Sequence, residues 1–406
     1  MALRTGTREV SELDIARSRL RPTRQKRGQA PGGAGGAAWV MDTLAAPIDR
    51  QQSGEFLERL KSTFQGAILT MMIDLGHRSG LFEALAIGPT TSTGLAETTA
   101  LSERHVREWL AAVTVGGVTT FDPSTQQYTL PPEHAMWLTG TAFTNLAPMG
   151  GMLTGLGQRI DDVADTFRTG NGVPYANYRP HFTCAMDAMG RAKYDSLLVS
   201  AYLPKVAGLV DALRAGSQVA DVGCGTGHCI NLMAQAFPAS TFHGFDFSVD
   251  AIAMATAEAA AMGLDNVAFH VADAASVDNQ RVPTGFDVVF AFDAIHDQSD
   301  PAGVLLAIRA ALTDGGMFVM LDIKASSHLA DNVADPTTLV LYGISVMHCM
   351  QVSLAGGGPG LGTVWGTQLA TSMLNDAGFA DVTIHDLPGD PTNCIYACPV
   401  PHLDKA

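Results

Sequence analysis

The chain has 406 residues, 47% of them hydrophobic and 16% charged, with a formal net charge of −15. Such hydrophobicity excludes wholesale disorder, and the length calls for two domains plus ends rather than a single core. The excess of 40 acidic over 25 basic side chains argues against a general basic surface for nucleic acid. Six cysteines (Cys184, Cys224, Cys229, Cys349, Cys394, Cys398) contain no C-x2-C pair. They suggest neither a zinc site nor a disulfide framework, but small buried thiols in a reducing compartment. The first 20 residues lack the apolar core of a signal peptide. The longest charge-free stretch, 336–375, is broken by glycines, Pro359 and His348 and does not read as a membrane helix. A soluble, cytoplasmic protein is the expectation.

Residues 1–40 carry eight basic and three acidic side chains and end in PGGAGGAA, a charge of +5 against −20 for the remainder. A disordered extension is expected there. A transit peptide and a start at Met41 are the other readings. From about Gln52 the apolar residues fall at helical spacing: Phe56, Leu60, Phe64, Ile68, Met71, Met72 and Leu75. GLFEAL (80–85) closes this unit. Residues 91–121 then read as helix, turn, helix, with Thr93 and Ser102 as candidate caps. VTTF and YTL (118–121 and 128–130) bracket the turn DPSTQQ as a hairpin. Together these elements make a winged helix over 41–145. Residues 41–140 hold six basic and eleven acidic side chains, and Glu103, Arg104, Arg107 and Glu108 of the second helix sum to zero. Phosphate attraction supplies most non-specific DNA affinity, so a dimerisation or lid module is expected instead of a DNA reader. Residues 146–205 read as a helical connector containing Tyr175, Tyr178 and Phe182. From 206 to 406 short apolar strands alternate with Ala-rich helices, the pattern of a doubly wound, Rossmann-like α/β domain.

QVADVGCGTGHCINLMAQAF (218–237) is an apolar strand, a glycine turn and a helix. Gly223, Gly225 and Gly227 stand in G-x-G-x-G spacing, which alone is weak evidence. Asp221 at the strand end, Asp246 closing the next strand and Asp273 closing the third add to it. A carboxylate in Asp246's place can take both ribose hydroxyls. An acid beside the turn suits a ligand with a cationic amino group and no phosphate. A dinucleotide fold would want G-x-G-x-x-G, and Gly227 falls one residue early.

At these residues the sequence resembles the class I S-adenosylmethionine-dependent methyltransferases. The resemblance implies S-adenosyl-L-methionine as cofactor. Asp221, Gly223, Gly225 and Gly227 would lie against its methionine part, Asp246 would hold the ribose and Asp273 would contact the adenine, with Phe292 and Asp293 on the cofactor side. FDVVFAFDAIHDQSDP (286–301) is similar to the H-D-x-S/T-D stretch of small-molecule O-methyltransferases, which implies His296 as general base with Asp297 beside it. More narrowly, GLFEAL, HVREWL with its wing, DVGCGTG, DAIHDQSDP and YGISVMHCMQVSLAGGGPGLGTVWG resemble a bacterial group of winged-helix methyltransferases often labelled transcriptional regulators. The likeness covers the chain from about residue 50 onward.

The physical logic holds without the resemblance. A phenol with a pKa of about 10 is mostly protonated at neutral pH, and a histidine with a pKa of about 6.5 can take that proton. The bland reading of His296 is that it caps the following helix or packs beneath the cofactor. Met347, His348, Met350 and Trp365 are candidate walls of an apolar acceptor pocket. A lone histidine on such a face is more often a satisfied core residue. No acidic residue lies between Asp335 and Asp376, where the plant-type enzymes place an assisting glutamate. The expectation is a methyltransferase acting on a small, largely apolar acceptor at a hydroxyl oxygen, as a homodimer, without metal, DNA or membrane. A cofactor-sensing transcriptional regulator and a catalytically silent interaction protein are the alternatives.

Overall fold

The computed structural model describes residues 48–179, 181–272 and 284–401. The expectations for residues 1–40 and for Asp273 therefore lie outside the described residues. The chain separates into a unit up to Lys61 and a second unit from Ser62. In the first, residues 50–61 form the opening turns of helix α1 (Arg50–Arg78), and Phe56 and Leu60 are exposed there.

In the second unit, α1 continues into α2 (Leu81–Leu85), α3 (Ser92–Thr99) and α4 (Glu103–Val115). The antiparallel pair β1 (Thr120–Asp122) and β2 (Gln127–Thr129) follows, with Phe121 opposite Tyr128. Thr90 bridges to Tyr128 as a further piece of this small sheet. Leu95, Val106, Leu110 and Val113 recur at helical spacing because they face one core, shared with Phe82 and Trp109. Complete burial of each such side chain stabilises by about 1.5–3 kcal/mol. The indole of Trp109 donates to the Met72 carbonyl at 2.8 Å, which ties α4 to α1. The cap of α3 is not Thr93. Thr91 holds the extended backbone a cap requires, and its hydroxyl accepts from Gly94 N at 3.1 Å. Ser102 stands at the start of α4 but makes no cap bond, and its hydroxyl meets His105 Nδ1 instead.

Helices α5 (Ala147–Gly157), α6 (Ile160–Thr169) and α7 (His181–Leu197) lead to α8 (Leu209–Ala215). The α/β sheet is then built from β3 (Gln218–Val222), α9 (His228–Ala236), β4 (Thr241–Asp246), α10 (Val249–Ala261) and β5 (Val267–Val271). Next come β6 (Phe286–Phe292), α11 (Pro301–Ala311), β7 (Leu312–Ile323), α12 (Thr337–Ile344), α13 (Met350–Ala355) and α14 (Gly366–Asp376). The hairpin β8 (Thr383–Leu387) and β9 (Asp390–Pro399) ends the sheet. The strand order is β5-β4-β3-β6-β7-β9-β8, with β9 antiparallel to both neighbours and the rest parallel. Alternate residues of β6 serve opposite faces. Val289 and Ala291 pack with Ile308 and Leu374, while Val288 and Phe290 pack with Leu213 and Met233. Burial on both faces explains the unbroken apolar run VVFAF (288–292). The chain leaves β3 toward β4 and later returns to β6 on its other side, so the strand order reverses at β3. Ligands in such sheets bind beyond the carboxyl ends at that reversal.

Thr337–Ala355 is long and apolar enough to cross a membrane by length and composition. Leu341, His348, Cys349, Gln351 and Ser353 within it are buried in the protein, while Leu339 and Val340 are exposed. All six cysteines are free thiols; Cys349, Cys394 and Cys398 are buried, while Cys184 is exposed rather than buried as expected.

Candidate functional site

The glycine turn after β3 needs its glycines. Gly223, Gly225 and Gly227 have φ of 75°, 54° and 75°, the left-handed region that side chains rarely adopt. A Cβ on Gly223 would come within 2.6 Å of the Ala294 Cβ, and one on Gly227 within 2.5 Å of the Ala255 Cβ. Gly225 differs: a Cβ there would meet no atom within 4 Å. Its bare backbone faces open space against which a ligand can lie.

Two carboxylates flank this turn. Asp246, ending β4, accepts from Gly225 N at 2.9 Å and from Ser248 N at 2.8 Å. Burial raises its pKa, opposed by those two amides and by Arg179. Asp221 is 1% exposed and its Oδ1 has no hydrogen-bond partner. Burial, and then the charge of Asp246, pushes its pKa up to about 8. An orphaned, buried acid beside an open glycine backbone fits a ligand that brings its own cation. The amino group and sulfonium of S-adenosylmethionine meet that description, so the residues present fit the cofactor. Phe292, half-buried, ends β6 and stacks parallel to Phe290 at 5.5 Å.

Asp293 follows with φ 50°, a left-handed residue that is not glycine. Its Oδ1 accepts from Asn393 Nδ2 at 2.6 Å, which holds the strained turn in place. Burial raises the pKa of Asp293, with Lys193 opposing and Asp322 adding to the rise. Asp297 is raised to about 6, by burial first, with His296 opposing and Asp322 and Asp246 adding to it.

His296 is 3% exposed, and its Nδ1 lies 2.8 Å from Oδ1 of Asp322 on β7. It is not the helix cap, because Asp300 caps α11 by accepting from Gly303 N at 2.9 Å. Burial alone would lower its pKa; the charge of Asp322, with the Cys349 thiol adding, raises it well above the ordinary value. The imidazole is therefore a stronger base than the free residue, and holds its proton to a higher pH than the sequence led us to expect. The sequence reading missed Asp322. A lone acid in the apolar run FVMLDI was the available signal, since a fully buried charge is rare without a partner.

The four expected acceptor-wall residues fall in two groups. Met347, in the wide turn Ser345–Cys349 that joins α12 to α13, and Met350, which opens α13, are half-buried. His348 and Trp365 are 3% and 2% exposed. The His348 ring is boxed by Tyr178 and Phe182, with centroids at 4.6 and 4.4 Å. Its Nδ1 lies 3.6 Å from Cys349 Sγ and its Nε2 has no partner. Burial, then the charge of His296, lowers its pKa to about 3, so the ring is neutral. Trp365 points its indole N–H at Asp322 Oδ1, 3.1 Å away.

Tertiary folding adds a strap that the sequence did not announce. Tyr175 meets the Phe247 ring edge-on at 5.5 Å and lies 6.1 Å from His348. Arg179 donates to Ser248 Oγ at 2.8 Å and pairs with Asp250 at 2.9 Å. On α7, Asp187 accepts from the Thr226 hydroxyl in the glycine turn, while Arg191 pairs with Asp187 and Glu258 at 2.6 Å each. The connector thus reaches both the ribose-side strand and the His348 side of the site. Among the described residues no cluster of His, Cys, Asp and Glu could hold a metal.

A doubly wound sheet, an open glycine turn between buried acids and a preceding winged helix define an S-adenosylmethionine-dependent methyltransferase domain behind a winged-helix module. Residues 213–378 match the family model described as a methyltransferase domain, and residues 67–140 match the Rv2258c-like winged HTH domain. The trans-aconitate 2-methyltransferase of Methylobacterium radiotolerans is 29% identical over 133 residues, 33% of this chain and 45% of that enzyme. The chain's matches span between 39% and 64% of the curated relatives' own length. Among solved structures, the mitomycin 7-O-methyltransferase MmcR is similar at TM-score 0.65 and 17% identity, over 86% of this chain and 99% of that one. Human N-acetylserotonin methyltransferase in complex with SAM gives 0.61 and 16%, over 91% and 100%. At these identities the structural likeness is one of fold.

Proposed function

We propose that this protein transfers a methyl group from S-adenosyl-L-methionine to a hydroxyl oxygen of a small, largely apolar acceptor, with His296 as general base. The observation that carries the reading is the buried His296–Asp322 pair, with Asp322 near the carboxyl end of β7 in the same sheet whose β3 carries the orphaned Asp221. The bound cofactor supplies a methyl group on a sulfonium that is already activated. The chain's own residues do the rest. Asp221 offsets the cofactor's charge, Asp246 receives its ribose hydroxyls, and the glycine turn gives close backbone approach. Asp273 would contact the adenine, by the resemblance alone. His296 takes the acceptor proton as the oxygen–methyl bond forms and the carbon–sulfur bond breaks; Asp322 stabilises the resulting imidazolium. A positioned base contributes typically about 10²–10⁴-fold, and alignment in a site closed by Tyr175 and Arg179 supplies the larger part. Asp297 lies next to the base, and Met347 and Met350 supply apolar wall.

The winged helix serves assembly rather than DNA in this reading. Arg104 and Arg107 of α4 are paired with Glu108 and Glu103, which leaves no basic stripe on that helix. On the part of α1 from Ser62 onward, Phe64, Ile68, Met71 and Leu75 are about half exposed or more. Such a contiguous apolar stripe fits burial against a second copy of the chain, as an isologous homodimer. The proposed organisation remains a module near 41–145, a connector near 146–205 and the catalytic domain from 206, in a cytoplasmic protein. A cofactor-sensing regulator is the second reading, and the winged HTH match favours it.

His296→Gln tests the base, and a DNA-binding titration at low and moderate salt tests the regulator reading. The substitution keeps a hydrogen-bonding side chain but loses basicity, so turnover should fall about 10²-fold or more while cofactor affinity holds. A loss below about threefold at full cofactor occupancy would overturn the base assignment.

A further inference from the structure

Asp322 holds more donors than a carboxylate needs to orient one histidine. Its Oδ1 accepts three hydrogen bonds, from His296 Nδ1 at 2.8 Å, from Ile323 N at 2.7 Å and from Trp365 Nε1 at 3.1 Å. Its Oδ2 is buried and has none. Asp322 and Trp365 are 0% and 2% exposed, so bulk solvent is kept from these bonds. The indole is itself anchored. Ser327 Oγ donates to the Trp365 carbonyl at 2.7 Å, and Gly366 follows at φ 80° so tightly that a Cβ would come within 2.1 Å of Ser327 N.

We infer that Trp365 is a positioning residue for the general base: its indole N–H shares the charge of Asp322 and thereby sets the pH at which His296 becomes free to accept a proton. This rests on the proposed reaction only in calling His296 the base. The pair His296–Asp322 is neutral overall when the imidazole is protonated and carries one negative charge when it is not. A donor on Asp322 favours the second state, so Trp365 lowers the pH at which the pair gives up its proton. The other groups facing the pair are Asp293 and Asp297 on its own segment, Cys349 and His348 from the wide turn, and Cys394 and Tyr396 from β9. Tryptophan can act here without joining that titration, because its indole is a donor that never ionises in the working range.

The test is Trp365→Phe, which keeps an aromatic ring but removes the donor, read by NMR titration of the His296 ring in protein saturated with S-adenosylhomocysteine. The apparent pKa of the pair should rise by about half a unit or more, and the acid limb of turnover should move the same way. Incorporating 3-benzothienylalanine at Trp365, which replaces only N–H by sulfur, should give the same shift with the shape intact. It keeps the question open to measurement should the phenylalanine variant fold poorly. An unchanged His296 titration in either folded variant would overturn the role of Trp365. The titration needs no acceptor, so it stands apart from the base assignment. A shifted His296 titration with wild-type turnover across pH would refute the base while sustaining the coupling.

Discussion

Replacing Asp221 by asparagine should stabilise the free protein and weaken its cofactor. Burial and the neighbouring Asp246 raise the Asp221 carboxyl to about 8 from 3.8. Because the folded-state value lies above the unfolded one, the folded protein binds more protons than the unfolded chain between those values. Stability from this group is fully present below pH 3.8 and is lost as pH rises through about 8. Near pH 7 the difference is about three pKa units, or roughly 4 kcal/mol at 1.36 kcal/mol per unit, as an upper bound before the site relaxes. An asparagine side chain carries no charge at any pH, so the melting midpoint of the Asp221→Asn variant without cofactor should fall less steeply between pH 5 and 8. It should exceed the wild-type midpoint at the alkaline end. Cofactor affinity should move oppositely. Loss of a charged contact of about 1.5–3 kcal/mol corresponds to roughly ten- to 150-fold weaker binding. Calorimetry in two buffers of different ionisation heat adds a further check. Wild-type protein should release close to one proton on binding S-adenosylhomocysteine near pH 7, and the variant should release less. Destabilisation of the variant without cofactor, with wild-type affinity retained, would refute the reasoning and make Asp221 a structural acid.

Asp246→Ala removes the acceptor of Gly225 N and of the expected ribose hydroxyls, so calorimetric affinity for S-adenosylhomocysteine should drop at least about tenfold; equal affinity would dismiss the ribose assignment. Ile68→Asp places a charge in the exposed stripe of α1, and light scattering at micromolar concentration should then report half the wild-type mass. A wild-type mass already equal to one chain would reject the dimer.

The local features of the cofactor side were legible in the amino-acid sequence. A glycine turn between a strand and a helix is a matter of consecutive residues: Gly223 and Gly227 are demanded by positive φ and by contacts within 2.6 Å. Short apolar runs and the 3.6-residue period likewise announced the sheet and the winged helix, because each element records in its own residues which of its faces are covered. Even the cap of α3 was misplaced by only two residues, since Thr91 and Thr93 offer the same hydroxyl and the entering backbone angle decides between them. What only the tertiary structure decided is the company each ionisable group keeps. Sheet register sets Phe292 beside Leu321, so the residues that follow, His296 on one segment and Asp322 on the other, meet across 26 positions of sequence. Trp365 reaches the same oxygen from 43 positions further along, and Asn393 reaches Asp293 across 100. No periodicity within an element encodes those distances. The charge states follow from them: packing Asp322 against His296 raises one histidine, while the aromatic box and the charge of His296 keep His348 neutral. The residue types of the site were written in the chain, and their basicity was set by which of them the fold buried together.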